Sequence, residues 1–127
     1  MIFVHTADWQ IGMKAAHAGM AAEKVRDARF DAARRVVEWA RQHQADFLVL
    51  AGDTFEDNAV DRKLVQRVAD TLAAFGGPVY LLPGNHDPLV PGSVWEHPAW
   101  AACDRLHILA TTEPIDVPRG RLYPCPL

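Results

Sequence analysis

Three polar strings in the chain each follow a run of apolar residues, and each carries side chains that bind metals. They are residues 5–10 (His-Thr-Ala-Asp-Trp-Gln), 51–53 (Ala-Gly-Asp) and 83–87 (Pro-Gly-Asn-His-Asp). Their oxygen donors and one imidazole form the type of set that holds hard or borderline divalent cations: Asp8, Asp53, Asn85 and His86. Two such cations about 3.5–4 Å apart can clamp a phosphoryl group and generate hydroxide at neutral pH.

Each residue type suits one role in such a reaction. Asp53 ends a central apolar run and suits a bridge between two cations. Asp8 would hold one cation, and the amide oxygen of Asn85 would hold the other. The imidazole of His86, with an ordinary pKa of about 6.5, suits proton donation to a leaving alkoxide. Asp87 is the candidate for orienting that imidazole.

A parallel sheet would bring these strings together. Apolar runs at residues 2–6, 47–51 and 79–82 predict buried strands, with helical patterns between them. The helices are predicted over residues 21–44 and 61–75, the second with an aspartate as its N-cap. This βαβαβ order requires right-handed crossovers and a largely parallel sheet. The three strand ends should therefore converge on one edge, where open α/β sheets place their ligands.

Beyond residue 87 the pattern weakens. Ser93 is a candidate cap for a short helix, and short strands are predicted at residues 107–109, 115–117 and 122–123. With 127 residues, the chain is one small domain or part of a larger one.

The composition excludes some partners and compartments. The net charge of −3 gives no overall basic field toward nucleic acid or an anionic membrane. Two cysteines are too few for a disulfide framework, and no apolar stretch suggests a signal peptide or membrane span, so we expect a cytoplasmic protein. Six basic residues fall within positions 24–41: Lys24, Arg26, Arg29, Arg34, Arg35 and Arg41. They could create a local basic field, although a solvated helix face is the simpler interpretation.

Simpler interpretations exist for the single strings. An aspartate at a strand end is usually a cap or turn residue, and Gly-Asn-His-Asp-Pro could by itself form a turn. Only the joint occurrence at three successive strand ends is specific. The other histidines lack such a context and are interpreted as surface or structural residues: His5, His17, His43, His97 and His107. Among them, the histidine at position 17 is in the loop that follows the first string.

The three strings resemble those of the calcineurin-like metallophosphoesterases and, within that superfamily, the bacterial DNA repair exonucleases of SbcD type. The matching segments are residues 5–12, 50–55 and 82–88, and the resemblance covers essentially residues 1–90. It implies the α/β sandwich of that superfamily. Residues 1–127 would form the N-terminal βαβαβ half of this nuclease domain, with a mostly parallel sheet.

The resemblance also implies a dinuclear phosphodiester hydrolase that acts in DNA repair. Asp8 would bind the first metal, Asp53 would bridge, Asn85 would bind the second metal, and His86 would be the catalytic histidine. Manganese is the expected metal, with magnesium, iron or zinc as alternatives. DNA would be the substrate and an SMC-like coiled-coil ATPase of SbcC type the partner. A homodimer stays open, and no membrane partner is implied.

Two features depart from the family pattern. The first motif of the family is usually Asp-x-His, and here its third position is Gln10. The glutamine amide oxygen is a weaker donor for manganese than imidazole. If Gln10 binds the first metal, strand alternation should place it on the same side as Asp8. The later histidine ligands, including a Gly-His-x-His element, do not occur before Leu127, so we expect an N-terminal part of a longer protein, with doubtful activity on its own.

Three functions therefore stay open. They are a DNA nuclease, a phosphatase or phosphodiesterase for small molecules, and a non-catalytic scaffold with a degenerate metal site that docks the ATPase.

Overall fold

The computed structural model describes residues 1–13 and 21–127, and it confirms the predicted alternation of strands and helices. The elements, in chain order, are β1 (Phe3–Thr6), α1 (Ala22–Gln42), β2 (Phe47–Ala51), α2 (Arg62–Ala73), β3 (Val79–Leu82), α3 (Pro98–Ala101), β4 (Leu106–Ile108), β5 (Ile115–Val117) and β6 (Gly120–Leu122). The histidine at position 17 lies outside the described residues. In the part of the chain that is described, no helix is long and apolar enough to cross a membrane.

The strands β1 to β4 form one parallel sheet in sequence order. Thr6 pairs with Leu50, and Ala51 pairs with Leu82. The carboxyl ends of the first three strands therefore lie side by side at one edge, as predicted.

The helices pack on one face of this sheet, because right-handed crossovers between sequential parallel strands keep them on the same side. The Asp61 carboxylate accepts a hydrogen bond from the Lys63 N–H (2.8 Å) and caps α2, as predicted. The main core is built around apolar side chains from α1, α2, β2 and β3, and loop residues, α3 and β4 add further side chains to it. Those from the first four elements are Phe30, Ala33, Val37, Ala40, Val65, Val68, Ala69, Leu72, Leu48, Leu50, Val79 and Leu81.

The opposite face of the sheet is covered by the antiparallel pair β5–β6, around a second cluster that includes Phe47 and Tyr80. The last strand begins earlier than predicted. Val117 pairs with Gly120 across a two-residue turn, so residues from 120 onward already belong to the strand.

The short helix near residue 95 also differs from the prediction. The Ser93 side chain makes no capping hydrogen bond, and a 3₁₀ turn, Val94–Glu96, follows it. The true cap of α3 is the His97 imidazole, whose Nδ1 accepts from the Ala99 N–H (3.0 Å).

Candidate metal centre

Hydrogen bonds join the loops that follow β1, β2 and β3. The Asp8 N–H donates to the Gly52 carbonyl (3.1 Å), and the Gln10 N–H donates to the Asp53 carbonyl (3.0 Å). The third loop reaches the same point, because the His86 N–H donates to Asp53 Oδ1 (2.9 Å). The polar strings predicted to converge are thus brought to one place, with Asp53 bonded to both neighbouring loops.

The backbone at three of these positions is left-handed. The φ angles are 57° at Asp8, 46° at Gln10 and 53° at Asp53. Such angles cost L-residues about 1–2 kcal/mol and persist only when the surroundings hold them. Because β1 ends at Thr6, strand alternation does not decide where Asp8 and Gln10 point, and that argument from the sequence was wrong.

Two glycines let the second and third loops approach each other. Gly52 has a φ of 101°, and a Cβ built there would lie 3.5 Å from Gly84 Cα. A Cβ on Gly84 would collide with Oδ1 and the backbone nitrogen of Asp53. Asp53 is only 8% exposed. The sequence predicts Gly84 only as a turn residue. It does not indicate that the absence of a side chain at Gly84 makes room for the Asp53 carboxylate.

Asp87 does not orient the imidazole of His86. Its side chain is fully buried, and its two oxygens accept the Gly84 N–H (2.8 Å) and the Phe55 N–H (3.0 Å). The contact predicted for Asp87 is made instead by the backbone carbonyl of Glu56, 3.0 Å from His86 Nδ1. This correction follows from geometry, because a carboxylate that clamps two loops is not available to the ring.

The charges around these loops shift two pKa values. The hydrogen bond to the Glu56 carbonyl raises the pKa of His86, and the carboxylates of Asp53, Glu56 and Asp87 add to this, while desolvation opposes it. Burial raises the pKa of Asp87, opposed by its hydrogen bonds to backbone amides. The exposed His86 ring therefore keeps a proton to higher pH than an ordinary histidine, as a proton donor requires.

The donor chemistry of the loops suits a hard divalent cation. Asp8 and Asn85 are exposed, Gln10 is half-buried, and the Asp53 carboxylate lies in the space left by Gly84. Two carboxylates and two amide oxygens are acceptable ligands, but they are few. Across residues 1–13 and 21–127, no three His, Cys, Asp or Glu side chains are grouped to hold a metal. The donors on these loops therefore fit part of the ligand set of a metal site.

Some polar capacity near Asp53 is unused. Thr54 Oγ1 and Glu56 Oε2 are buried and have no hydrogen-bond partner within the described ranges. Buried polar atoms are nearly always paired with protein or with ordered water. Both residues belong to the loop that follows β2 and carries Asp53.

The histidines interpreted as structural have contacts of that kind. His97 caps α3, His107 stacks on Tyr80 with 5.1 Å between ring centroids, and His43 stacks on Trp39 at 3.7 Å. None of these contacts involves the loops that carry the proposed ligands.

One basic residue of α1 was misjudged. Arg34 pairs with Asp31 on the exposed surface (2.6 Å), where such a pair contributes little to stability. Arg29, however, is half-buried, and its Nη1 donates to the carbonyl of Trp9 (3.2 Å), between Asp8 and Gln10. The sequence signal was its position four residues before Ala33, which places it next to the buried stripe of the same helix.

Comparisons with known proteins agree with this geometry. Residues 1–122 match the family model described as calcineurin-like phosphoesterase, which includes all three loops. The chain is also 28% identical over 94 residues to the uncharacterised metallophosphoesterase YhaO of Bacillus subtilis (strain 168). That alignment covers 72% of this chain and 22% of the relative, so the chain matches about a fifth of the relative's length. Because the family model spans nearly the whole chain, the chain belongs to the calcineurin-like phosphoesterase family.

Proposed function

We propose that this chain carries the first metal ligands and the catalytic histidine of a phosphodiester hydrolase that acts on DNA. The observation that carries the proposal is the junction at Asp53, whose carboxylate accepts the His86 N–H and whose carbonyl accepts the Gln10 N–H. The His-Thr-x-Asp-Trp string, similar to that of SbcD-type nucleases, favours DNA over other phosphodiesters.

The ligand roles follow from the side chains at this edge. Asp53 would bridge two divalent metals, Asp8 and Gln10 would serve the first, and Asn85 would serve the second. Members of the family bind divalent metal ions, and manganese is the metal we propose. When bound, such cations supply charge neutralisation at the phosphoryl group and activate a water molecule. The carboxylates and amides of these loops would hold such cations close to the loop that carries His86.

His86 would protonate the leaving oxygen. Its Nδ1 faces the Glu56 carbonyl, so the protonated ring has its second N–H, at Nε2, available for a substrate. The raised pKa keeps that proton on the ring to a higher pH than in an ordinary histidine. The ring is exposed, so a large substrate such as a DNA strand can reach it.

A substrate comparison tests the proposal. The protein expressed from its full reading frame is incubated with Mn²⁺ and either linear DNA or bis-p-nitrophenyl phosphate, with a His86→Gln variant as control. Cleavage of DNA that needs both Mn²⁺ and His86 is expected. Cleavage of the small ester alone would favour a small-molecule phosphodiesterase and would overturn the choice of DNA.

A non-catalytic scaffold is the second candidate, favoured by Gln10 and by the lack of a three-residue ligand group within the described ranges. Metal binding without hydrolysis of either substrate would support it. An SMC-like coiled-coil ATPase is the partner we propose in either case. This rests on the SbcD resemblance alone, and co-purification with such an ATPase tests it.

A further inference from the structure

The segment between two proposed ligands is held in an unfavourable backbone conformation. Asp8 and Gln10 both have positive φ, 57° and 46°, and Trp9 lies between them. Aspartate tolerates the left-handed region comparatively well, because its short polar side chain bonds locally, but glutamine rarely adopts it. Something in the surrounding structure must therefore hold Gln10 in place.

The peptide unit that joins Trp9 to Gln10 is fixed at both ends. Its N–H donates to the Asp53 carbonyl at 3.0 Å, and its carbonyl accepts from Arg29 Nη1 at 3.2 Å. A peptide unit is planar, with its N–H and C=O on opposite sides, so two such bonds fix its orientation. That orientation sets ψ of Trp9 and φ of Gln10 together.

Both partners of the Arg29 contact are themselves well positioned. Trp9 is 8% exposed, and its indole N–H donates to Thr6 Oγ1 at 2.9 Å. Arg29 is half-buried on α1 and precedes Phe30, which is 4% exposed in the main core. The guanidinium thus links the packed helix to the loop that carries the ligands.

We propose that Arg29 is a positioning residue for the first metal. It holds the Trp9–Gln10 peptide so that Gln10 stays left-handed, which is the backbone conformation from which its amide would bind the same metal as Asp8. The inference rests on the proposed function, because it takes Gln10 to be a ligand. Without the guanidinium, concerted rotation of Trp9 ψ and Gln10 φ turns the peptide over. The conformation that binds metal then becomes a minor one.

Arg29→Gln tests the proposal, with Arg26→Gln as the matched control. Arg26 is exposed, lies one turn earlier on α1, and loses the same charge. In metal-free protein, the one-bond Cα–Hα coupling of Gln10 reports the sign of φ. We expect Arg29→Gln to shift Gln10 toward negative φ and Arg26→Gln to leave it unchanged. Unchanged coupling at Gln10 in Arg29→Gln would overturn the proposal.

Mn²⁺ titration of the same variants gives a second result. If the competent conformation falls to about a fifth of the population, the apparent dissociation constant rises about fivefold in Arg29→Gln alone. A shifted φ with unchanged Mn²⁺ affinity would support the role of Arg29 in holding the peptide and would contradict Gln10 as a ligand. The coupling therefore tests the role of Arg29, and the titration separately tests Gln10 as a ligand.

A glycine background keeps the test decisive if Arg29→Gln does not fold. Glycine adopts positive φ without a side-chain clash, so it needs no holding. The double variant Gln10→Gly/Arg29→Gln is then expected to fold like Gln10→Gly alone. If the double variant does not fold although Gln10→Gly folds, Arg29 supports more than this peptide, and the proposal is overturned.

Discussion

Asp87 shows how contacts decide the role of a single carboxylate. It follows the proposed catalytic histidine in sequence, yet its oxygens bind the amides of Phe55 and Gly84. Its main-chain carbonyl accepts the Trp95 indole N–H (2.6 Å) as well. At this scale the residue joins the two loops that carry Asp53 and His86, and it acts on chemistry only through them.

Asp87→Asn is expected to destabilise the fold although it removes a buried charge. The new NH₂ group faces one of two backbone donors, and a buried donor without an acceptor costs about 1–3 kcal/mol. Urea unfolding at neutral pH measures the loss, with Asp104→Asn on the exposed surface as the control. Equal stability of the two variants would contradict the role of Asp87 as a clamp.

The stability difference between the parent protein and Asp87→Asn should depend on pH in one direction. Burial raises the folded-state pKa of Asp87, so the fold favours the protonated acid. Stability from this group is present below the unfolded-state pKa and is lost as pH rises through the folded-state pKa. The stability of the parent relative to Asp87→Asn should therefore be greatest in acid and should decline with rising pH. A difference that grows with pH would contradict this.

Substitutions at Asp53 and at His86 are expected to have different effects on metal binding and turnover. Asp53→Asn should lose both metal and activity, because the proposed bridge would serve two cations. His86→Gln should keep the metal and lose about 10²–10⁴-fold in turnover, the usual contribution of a general acid. Mn²⁺ titration beside hydrolysis separates the two. Loss of metal from His86→Gln would make His86 a ligand.

Gln10→His should tighten Mn²⁺ binding by roughly tenfold, because imidazole is a better donor at a borderline metal. Gln44→His is a matched control, since Gln44 is also a left-handed glutamine (φ 52°) and lies on the exposed surface away from the ligand loops. Tighter binding need not speed hydrolysis, because a more electron-rich metal is a weaker Lewis acid. Equal affinities in the two variants would mean that residue 10 does not serve the metal.

At the scale of elements, the site depends on parallel strands whose following loops touch through glycine. Gly84→Ala would push its Cβ into the Asp53 carboxylate, so we expect a loss of about 1–3 kcal/mol and weaker Mn²⁺ binding. Gly76→Ala is the control, because Gly76 has positive φ (85°) but open space around it. It should lose stability through backbone strain alone and keep its Mn²⁺ affinity. Unchanged affinity in Gly84→Ala would contradict the packing argument.

At the scale of the whole molecule, the proposed ligands would form only part of a dinuclear site. The two carboxylates are Asp8 and Asp53, and the other oxygen donors are neutral amides. Calorimetry should therefore give Mn²⁺ dissociation constants no tighter than tens of micromolar, by order of magnitude. A nanomolar two-metal isotherm from this chain would show that other groups complete the site.

The sequence by itself determined the strands, the helices and the edge at which the polar strings meet. These features depend on local periodicity, on the Asp61 cap and on crossover handedness, which short segments carry. The predictions of a cap at Ser93 and of the start of β6 were wrong, because the local sequence signals there are weak. The His97 imidazole caps the helix instead, and a two-residue turn sets where β6 begins.

Only the tertiary structure decided which groups touch at the site. Arg29 reaches Trp9 across 20 positions, Glu56 reaches His86 across 30, and Phe55 reaches Asp87 across 32. No periodicity encodes such pairs, because they depend on how finished elements pack against one another. Residue types therefore predicted the chemistry. Long-range packing decided which carbonyl contacts His86, which loops the Asp87 carboxylate joins and which guanidinium binds the Trp9 carbonyl.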